Sequence, residues 1–163
     1  MNQKLNPFDG AGTAPEKSKT KAFVIIGWRE TIALPQLGIS KIKAKIDTGA
    51  RTSALHAFQI RTSDRNGKKI VHFQVHPFQR NFHATVTAEA ELLEYREVRN
   101  SGGAAQLRPV ILTEVQLGTE TWKIELTLTN RDVMGFRMLL GRQAVRSKFL
   151  IDPGKSFIQS RHP

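Results

Sequence analysis

The sequence predicts an all-β domain, closed or sandwiched, with a single short helix near its C-terminus. Three observations lead there. Apolar residues occur in runs of strand length, several of them alternating with polar residues at period two. Turn-forming Gly, Pro, Asn and Asp punctuate the chain between those runs. Only residues 142–148 read as helix, and that stretch is short. The 163 residues fit one domain, large enough to bury its own core.

In chain order, residues 1–21 are Gly, Pro, Lys and Thr without a period and predict a disordered basic tail, which leaves 22–163 as the domain. Ala22–Trp28 is an apolar run of strand length, and Leu34–Gly38 is a turn. Ile39–Ile46 places Ile42, Ala44 and Ile46 on one side and Lys41, Lys43 and Lys45 on the other, a half-buried strand that ends at Asp47-Thr48-Gly49. Thr52–Phe58 is a further short strand. Asp64-Arg65-Asn66-Gly67 is a hairpin turn, because Asn-Gly supplies the positive φ such turns need. Lys69–His76 alternates, with Val71, Phe73 and Val75 on one face, and Pro77 closes it. Phe82–Ala90 and Leu92–Val98 follow as two strands, the second leading into the flexible turn Asn100-Ser101-Gly102-Gly103. Pro109–Leu117, Trp122–Leu128 and Arg137–Leu140 are strands, Arg142–Lys148 is the helix, and Phe149–Asp152 and Phe157–Gln159 are terminal strands around Asp152-Pro153-Gly154.

Composition removes several classes of function. Without cysteine there is no disulfide, no thiolate metal site and no cysteine nucleophile. No apolar run approaches the roughly 18 residues of a membrane span, and the first 20 residues lack a signal-peptide pattern, so the expectation is a cytoplasmic protein without a membrane partner. The net charge is +11, of which the first 21 residues supply +2 and the body +9. Such a field attracts polyanions or merely keeps the protein soluble. Nucleic acid is disfavoured, because one Tyr and two Trp give little aromatic–basic interleaving.

The chemistry concentrates in two segments, Lys45-Ile46-Asp47-Thr48-Gly49-Ala50-Arg51-Thr52-Ser53-Ala54-Leu55-His56-Ala57 and Met138-Leu139-Leu140-Gly141-Arg142, with Arg108-Pro109-Val110 and Leu126–Arg131 between them. In this order they resemble the retropepsin-like aspartic endopeptidases, and within them the branch once labelled ATP-dependent zinc proteases. The resemblance covers roughly residues 22–160. It implies a retropepsin-like barrel of six strands and assigns Asp47, Thr48 and Gly49 to catalysis. It also implies that Ala50, Arg51 and a glycine-rich flap, Ser101-Gly102-Gly103, contact substrate; an ordinary exposed hairpin is the plainer alternative for the glycine-rich turn.

Amide hydrolysis by carboxylates needs two of them sharing one proton. The chain has one Asp-Thr-Gly, so the second carboxylate must come from another copy, and the expectation is a homodimer with Asp47 at the axis. By the resemblance, the Thr48 hydroxyl ties the two loops across that axis, and Gly49 permits close backbone approach. In many viral relatives the position four beyond the catalytic Asp is also Asp and pairs with the Arg of the Gly-Arg segment. Here it is Arg51, which would repel Arg142. An Arg51 turned to the cleft favours acidic substrate; a solvated Arg51 is the plainer alternative. The family's association with ATP-grasp ligases that add glutamates to proteins implies glutamate-rich tails as substrate and such a ligase as partner.

No cofactor or metal is expected. There is no His-Glu-x-x-His, and His72 and His76 on one strand face stand ~13 Å apart by strand rise, too far to share a zinc. Gly102-Gly103 lacks a Gly-Lys-Ser/Thr sequel, so nothing supports ATP binding. Glu89, Glu91, Glu94 and Glu97 read as a solvated strand face. Two functions therefore compete: a homodimeric aspartic peptidase, and a catalytically silent module of the same fold that recruits acidic proteins to a ligase.

Overall fold

A computed structural model describes residues 22–100, 102–130 and 135–160. The expected tail, residues 1–21, and the flap residue Ser101 lie outside the described residues. The strands are β1 (Val24–Gly27), β2 (Arg29–Leu34), β3 (Ile39–Asp47), β4 (Ser53–His56), β5 (Phe58–Arg65), β6 (Lys68–Val75), β7 (Val86–Arg99), β8 (Ala105–Leu117), β9 (Glu120–Thr129), β10 (Met138–Gly141) and β11 (Phe149–Asp152). A 3-10 turn, Pro35–Leu37, links β2 to β3, and the helix α1 is Arg142–Val145.

Alternation along these strands builds the barrel. β3 turns Ile42, Ala44 and Ile46 inward, β8 turns in Ile111, Thr113, Val115 and Leu117, and β9 turns in Trp122, Ile124, Leu126 and Leu128. Each of these aliphatic side chains contributes roughly 1.5–3 kcal/mol when fully removed from water. The strands run in the order β2-β3-β10-β4-β9-β8, and β8 meets β2 again at the pair Gln116–Ala33, so six strands encircle the core. From β8 the sheet continues outward through β7, β6 and β5. The inner face of β6 (Val71, Phe73, Val75) joins the same apolar core. β1 and β11 form a separate parallel pair.

The all-β reading and the one short helix stand, and several boundaries differ for physical reasons. Residues 29–33, which carry no expected element, and Leu34, expected to open a turn, form β2. Its inward positions are Glu30, Ile32 and Leu34, and a charged residue at the first of them hides the alternation. Phe58–Arg65 is almost wholly exposed, so it has no apolar signature, yet it pairs with β6 across the Asn66-Gly67 turn, where both φ values are positive. Phe82–Ala90 is strand only from Val86, because the Asn81 side chain accepts hydrogen bonds from the His83 and Ala84 amides and holds a turn there. Leu92–Val98 is no separate strand but the second half of β7, which runs through a bulge between Leu92 and Glu94.

Phe157–Gln159 is not a strand. The Phe157 amide donates to the Arg29 carbonyl, and the Ile158 and Gln159 amides turn to the Glu30 carboxylate, which is fully buried and also accepts from the backbone N–H groups of Gly27 and Ser160 and from the Ser160 hydroxyl. A buried carboxylate with this many donors needs no cation beside it. It ties the C-terminal segment over the turn between β1 and β2.

Candidate active site

Asp47 is the last residue of β3, and the parallel pairing of β3 with β10 sets it in register with Gly141, 94 residues away in sequence. Its Oδ1 accepts the Gly49 amide at 3.0 Å and the Ala50 amide at 3.2 Å, which closes the Asp-Thr-Gly turn around the carboxylate. A Cβ on residue 49 would sit 3.3 Å from that oxygen, so glycine there keeps the contact unstrained. Both protein hydrogen bonds fall on Oδ1; among the described residues none reaches Oδ2.

The loop is held from behind by the Gly-Arg segment. The Arg142 guanidinium donates to the Thr48 carbonyl at 3.0 Å. The Arg142 and Gln143 amides donate to the Ala50 and Arg51 carbonyls at 2.7 and 3.1 Å. These are the N–H groups that a helix start leaves without intrahelical partners, so the loop and α1 satisfy each other. Arg142 therefore has a role that needs no acid at position 51. Beneath it, the Gly141 amide donates to Ser53 Oγ at 3.0 Å, and the Ser53 carbonyl accepts the Thr127 hydroxyl.

In front of the loop lies an open cleft of about 930 Å³. Asp47, Gly49, Ala50 and Arg51 line one end; Ala54, Thr127 and Leu139 form part of its floor; the stem of the β7–β8 hairpin, residues 96–100, forms a wall. Thr48 is exposed beside the cleft and is not part of its lining. Gly102 and Gly103 belong to the turn at the hairpin tip; among the described residues of the hairpin, the lining comes from 96–100 and from Arg108 and not from these glycines.

The cleft is rich in cations. Arg51, Arg96, Arg99, Arg108 and Arg137 line it against the acids Asp47, Glu97 and Glu125. Arg96 is committed to Glu125, at 2.7 Å, and to Glu94. Hydrogen bonding to Glu125 outweighs partial burial and, with help from Glu94, raises the Arg96 pKa above the ordinary guanidinium value. Arg51 is exposed, and its side chain makes no ion pair among the described residues. The glutamates expected to form one solvated face are instead divided: Glu89 pairs with Arg65, Glu91 with Lys68 and Glu94 with Arg96, while Glu97 lines the cleft. The bulge between Leu92 and Glu94 keeps Glu94 on the side of Glu89 and Glu91, and Glu97, three residues on, falls on the other face.

The sequence reading missed Arg99, Arg108, Arg137 and His56 as lining residues. Alternation places Arg96 beside Val98 on one face of β7, but nothing in the chain says that this face covers the Asp47 loop. The histidines lie apart: His72 contacts Ser63 and Glu89, whereas His76 packs face to face, tilted, on Phe58 and edge to face with Phe82. Among the described residues no group of three or more His, Asp or Glu could hold a metal ion. No helix among them is long and apolar enough to cross a membrane.

Comparison with known proteins follows the same lines. Residues 25–162 match a family model described as RimB-like, retropepsin-like aspartic endopeptidase RimB. Two curated relatives, each named a probable alpha-L-glutamate ligase, are 47% identical over 133 residues in Shewanella pealeana and 48% identical over 130 residues in Parasynechococcus marenigrum. The matched regions cover 82% and 80% of this chain but 29% and 28% of the relatives, so the chain spans less than a third of their length. A crystal structure of a Legionella pneumophila protein of unknown function superposes with a TM-score of 0.71 at 28% identity, over 85% of this chain and 99% of that one.

Proposed function

The chain belongs to the RimB-like family of retropepsin-like aspartic endopeptidases, and from that membership we propose that it is an aspartic peptidase whose working unit is a homodimer with Asp47 contributed by each copy. The observation that carries this reading is the Asp47 carboxylate itself. It stands at the end of a cleft of peptide-binding size, one oxygen fixed by two backbone amides and its loop fixed by α1. Fixed hydrogen bonds of this kind hold a reacting group in place without reorganisation during the reaction.

Two such carboxylates facing each other hold one proton between them. The ionised one takes a proton from a water, whose oxygen attacks the scissile carbonyl carbon. The protonated one gives its proton to the carbonyl oxygen. As the C–N bond breaks, the leaving nitrogen takes a proton from one carboxyl while a hydroxyl of the tetrahedral intermediate returns a proton to the other, so the dyad again holds one proton. The arginine-rich lining supports an acidic substrate, with Arg51 and Arg99 able to meet side-chain carboxylates. The ligase names of the curated relatives support a glutamate-rich polypeptide as that substrate and a glutamate ligase as a partner. Those same names also support a second reading, in which the fold only recruits acidic proteins to a ligase.

Incubation with a protein bearing a glutamate tail, followed by mass spectrometry, separates the two. The peptidase reading expects shortened tails with wild type and none with Asp47→Asn. Mixed wild-type and Asp47→Asn subunits should give inactive heterodimers, because each dyad needs both carboxylates. Activity that falls only in proportion to mutant content would refute a shared dyad, and intact tails throughout would leave the recruiting module.

A further inference from the structure

Outside the cleft, the outward face of β3 carries Lys41, Lys43 and Lys45 on the same side as Asp47, while Ile42, Ala44 and Ile46 face the core. Register adds to this stripe. Arg29 lies directly opposite Lys45 on β2, and Leu139, which lines the cleft, lies opposite Lys45 on β10. The stripe is therefore continuous with the cleft floor and leads away from Asp47.

Among the described residues no carboxylate pairs with any of these four cations. Glu30, the acid on the neighbouring strand, points into the core and is saturated by backbone amides. Like charges set directly opposite across a strand pair are unfavourable, so Arg29 beside Lys45 is a cost in the isolated domain. Two of the cations are placed by aromatic rings instead. The Arg29 guanidinium stands 4.6 Å from the Trp28 ring centroid and 5.2 Å from that of Phe157, and Lys43 Nζ is 5.7 Å from the Phe157 ring. A ring face orders a cation without neutralising it, so the charge stays available to a ligand.

We infer that Lys41, Lys43, Lys45 and Arg29 form a docking track that holds an extended acidic polypeptide as it leaves the Asp47 cleft. The inference rests on the reading of that cleft as a site for acidic polypeptide. Spacing favours a peptide over a nucleic acid. Successive lysines on the stripe are ~6.6 Å apart, the repeat of alternate side chains in an extended chain. The aromatic faces that a nucleobase would stack on are already covered by Arg29 and Lys43. From Asp47 to Lys41 is ~20 Å of strand, so a peptide must exceed roughly six residues to use the whole track.

The test is binding rather than turnover. The full chain carrying Asp47→Asn is titrated with fluorescein-labelled oligoglutamates of four and ten residues, read by anisotropy. Exposed charge pairs contribute modestly each, so the ten-residue probe should bind about tenfold tighter than the four-residue one. Adding Lys41→Gln and Lys43→Gln, which keep the side-chain stems, should abolish that gain, whereas Lys43→Arg should keep it. A tenfold gain that survives the double substitution would overturn the track. So would a ten-residue oligothymidylate that competes as well as the decaglutamate. A lysine-dependent gain in a protein whose wild type cleaves no glutamate tail would uphold the track and refute the peptidase; cleavage without the gain would do the reverse. Absence of binding by either oligoglutamate would overturn the track and the acidic-substrate reading together.

Discussion

Replacing Gly141 with Ala tests how tightly the Asp47 loop is built. Gly141 has φ −78°, open to any residue, so the constraint is space and not backbone conformation. An added Cβ would lie 2.6 Å from the Thr52 carbonyl carbon, 2.7 Å from its oxygen and 2.9 Å from the Ser53 amide nitrogen. All three are backbone atoms, so no side chain can swing aside, and either β10 or the 52–53 segment must move by about 1 Å to regain ordinary contact. Overpacking of this sort costs about 1–3 kcal/mol. The same movement stretches the Gly141 amide bond to Ser53 Oγ, at about 0.5–1.5 kcal/mol more. At roughly 2–4 °C per kcal/mol for a chain of this length, thermal unfolding should drop by about 3–18 °C. Because Gly141 is in register with Asp47 and precedes the α1 amides that hold Ala50 and Arg51, the displacement should reach the carboxylate. A misplacement of about 1 Å corresponds to roughly a hundredfold loss in kcat/KM. Calorimetry and a tail-trimming assay read the two effects. A variant that melts within 1 °C of wild type would refute the packing argument; one that melts low but keeps full kcat/KM would refute the coupling to Asp47.

Glu30→Gln should destabilise by roughly 2–5 kcal/mol, because the amide NH2 must face backbone donors on one side of a fully buried site; a melting point unchanged within 1 °C would contradict this. Arg51→Ala should lower kcat/KM on glutamate-rich peptides about ten- to hundredfold and leave neutral peptides little affected; equal losses on both would make Arg51 structural. Arg65, first through its two hydrogen bonds and also through its charge, holds the exposed Glu89 carboxyl below the ordinary carboxylate value. Arg65→Ala should therefore raise the Glu89 pKa in a carbon-detected NMR titration. The folded-state pKa is the lowered one, so any stabilisation from this pair is present above the unfolded value and fades as pH falls through the folded one.

The strand class, the faces of β3 and β6, and the Asn66-Gly67 turn were legible from the amino-acid sequence alone, because each is a local matter of alternation or of positive φ. Through a resemblance the sequence also singled out Asp47-Thr48-Gly49 and the Gly141-Arg142 segment as candidate site pieces, and the fold sets these two side by side. It failed where a residue's partner is distant. The strand at Arg29–Leu34 stays hidden because Glu30 faces inward, and only the fold supplies the amides of Ile158, Gln159 and Ser160 that make a buried carboxylate tolerable. Phe157–Gln159 looks like a strand for the same reason: its apolar residues are visible, but the competing acceptor is not. Alternation puts Arg96 and Arg99 on opposite faces of β7 and does not say that this end of the strand lies by the Asp47 loop, since that depends on β8 pairing with both β7 and β9. The juxtaposition of Asp47 with Gly141 comes from a parallel pairing across 94 residues. Local patterning fixes which way a side chain points along its own strand; which strands meet is set by burying every inward face in one core, and that choice belongs to the whole chain at once.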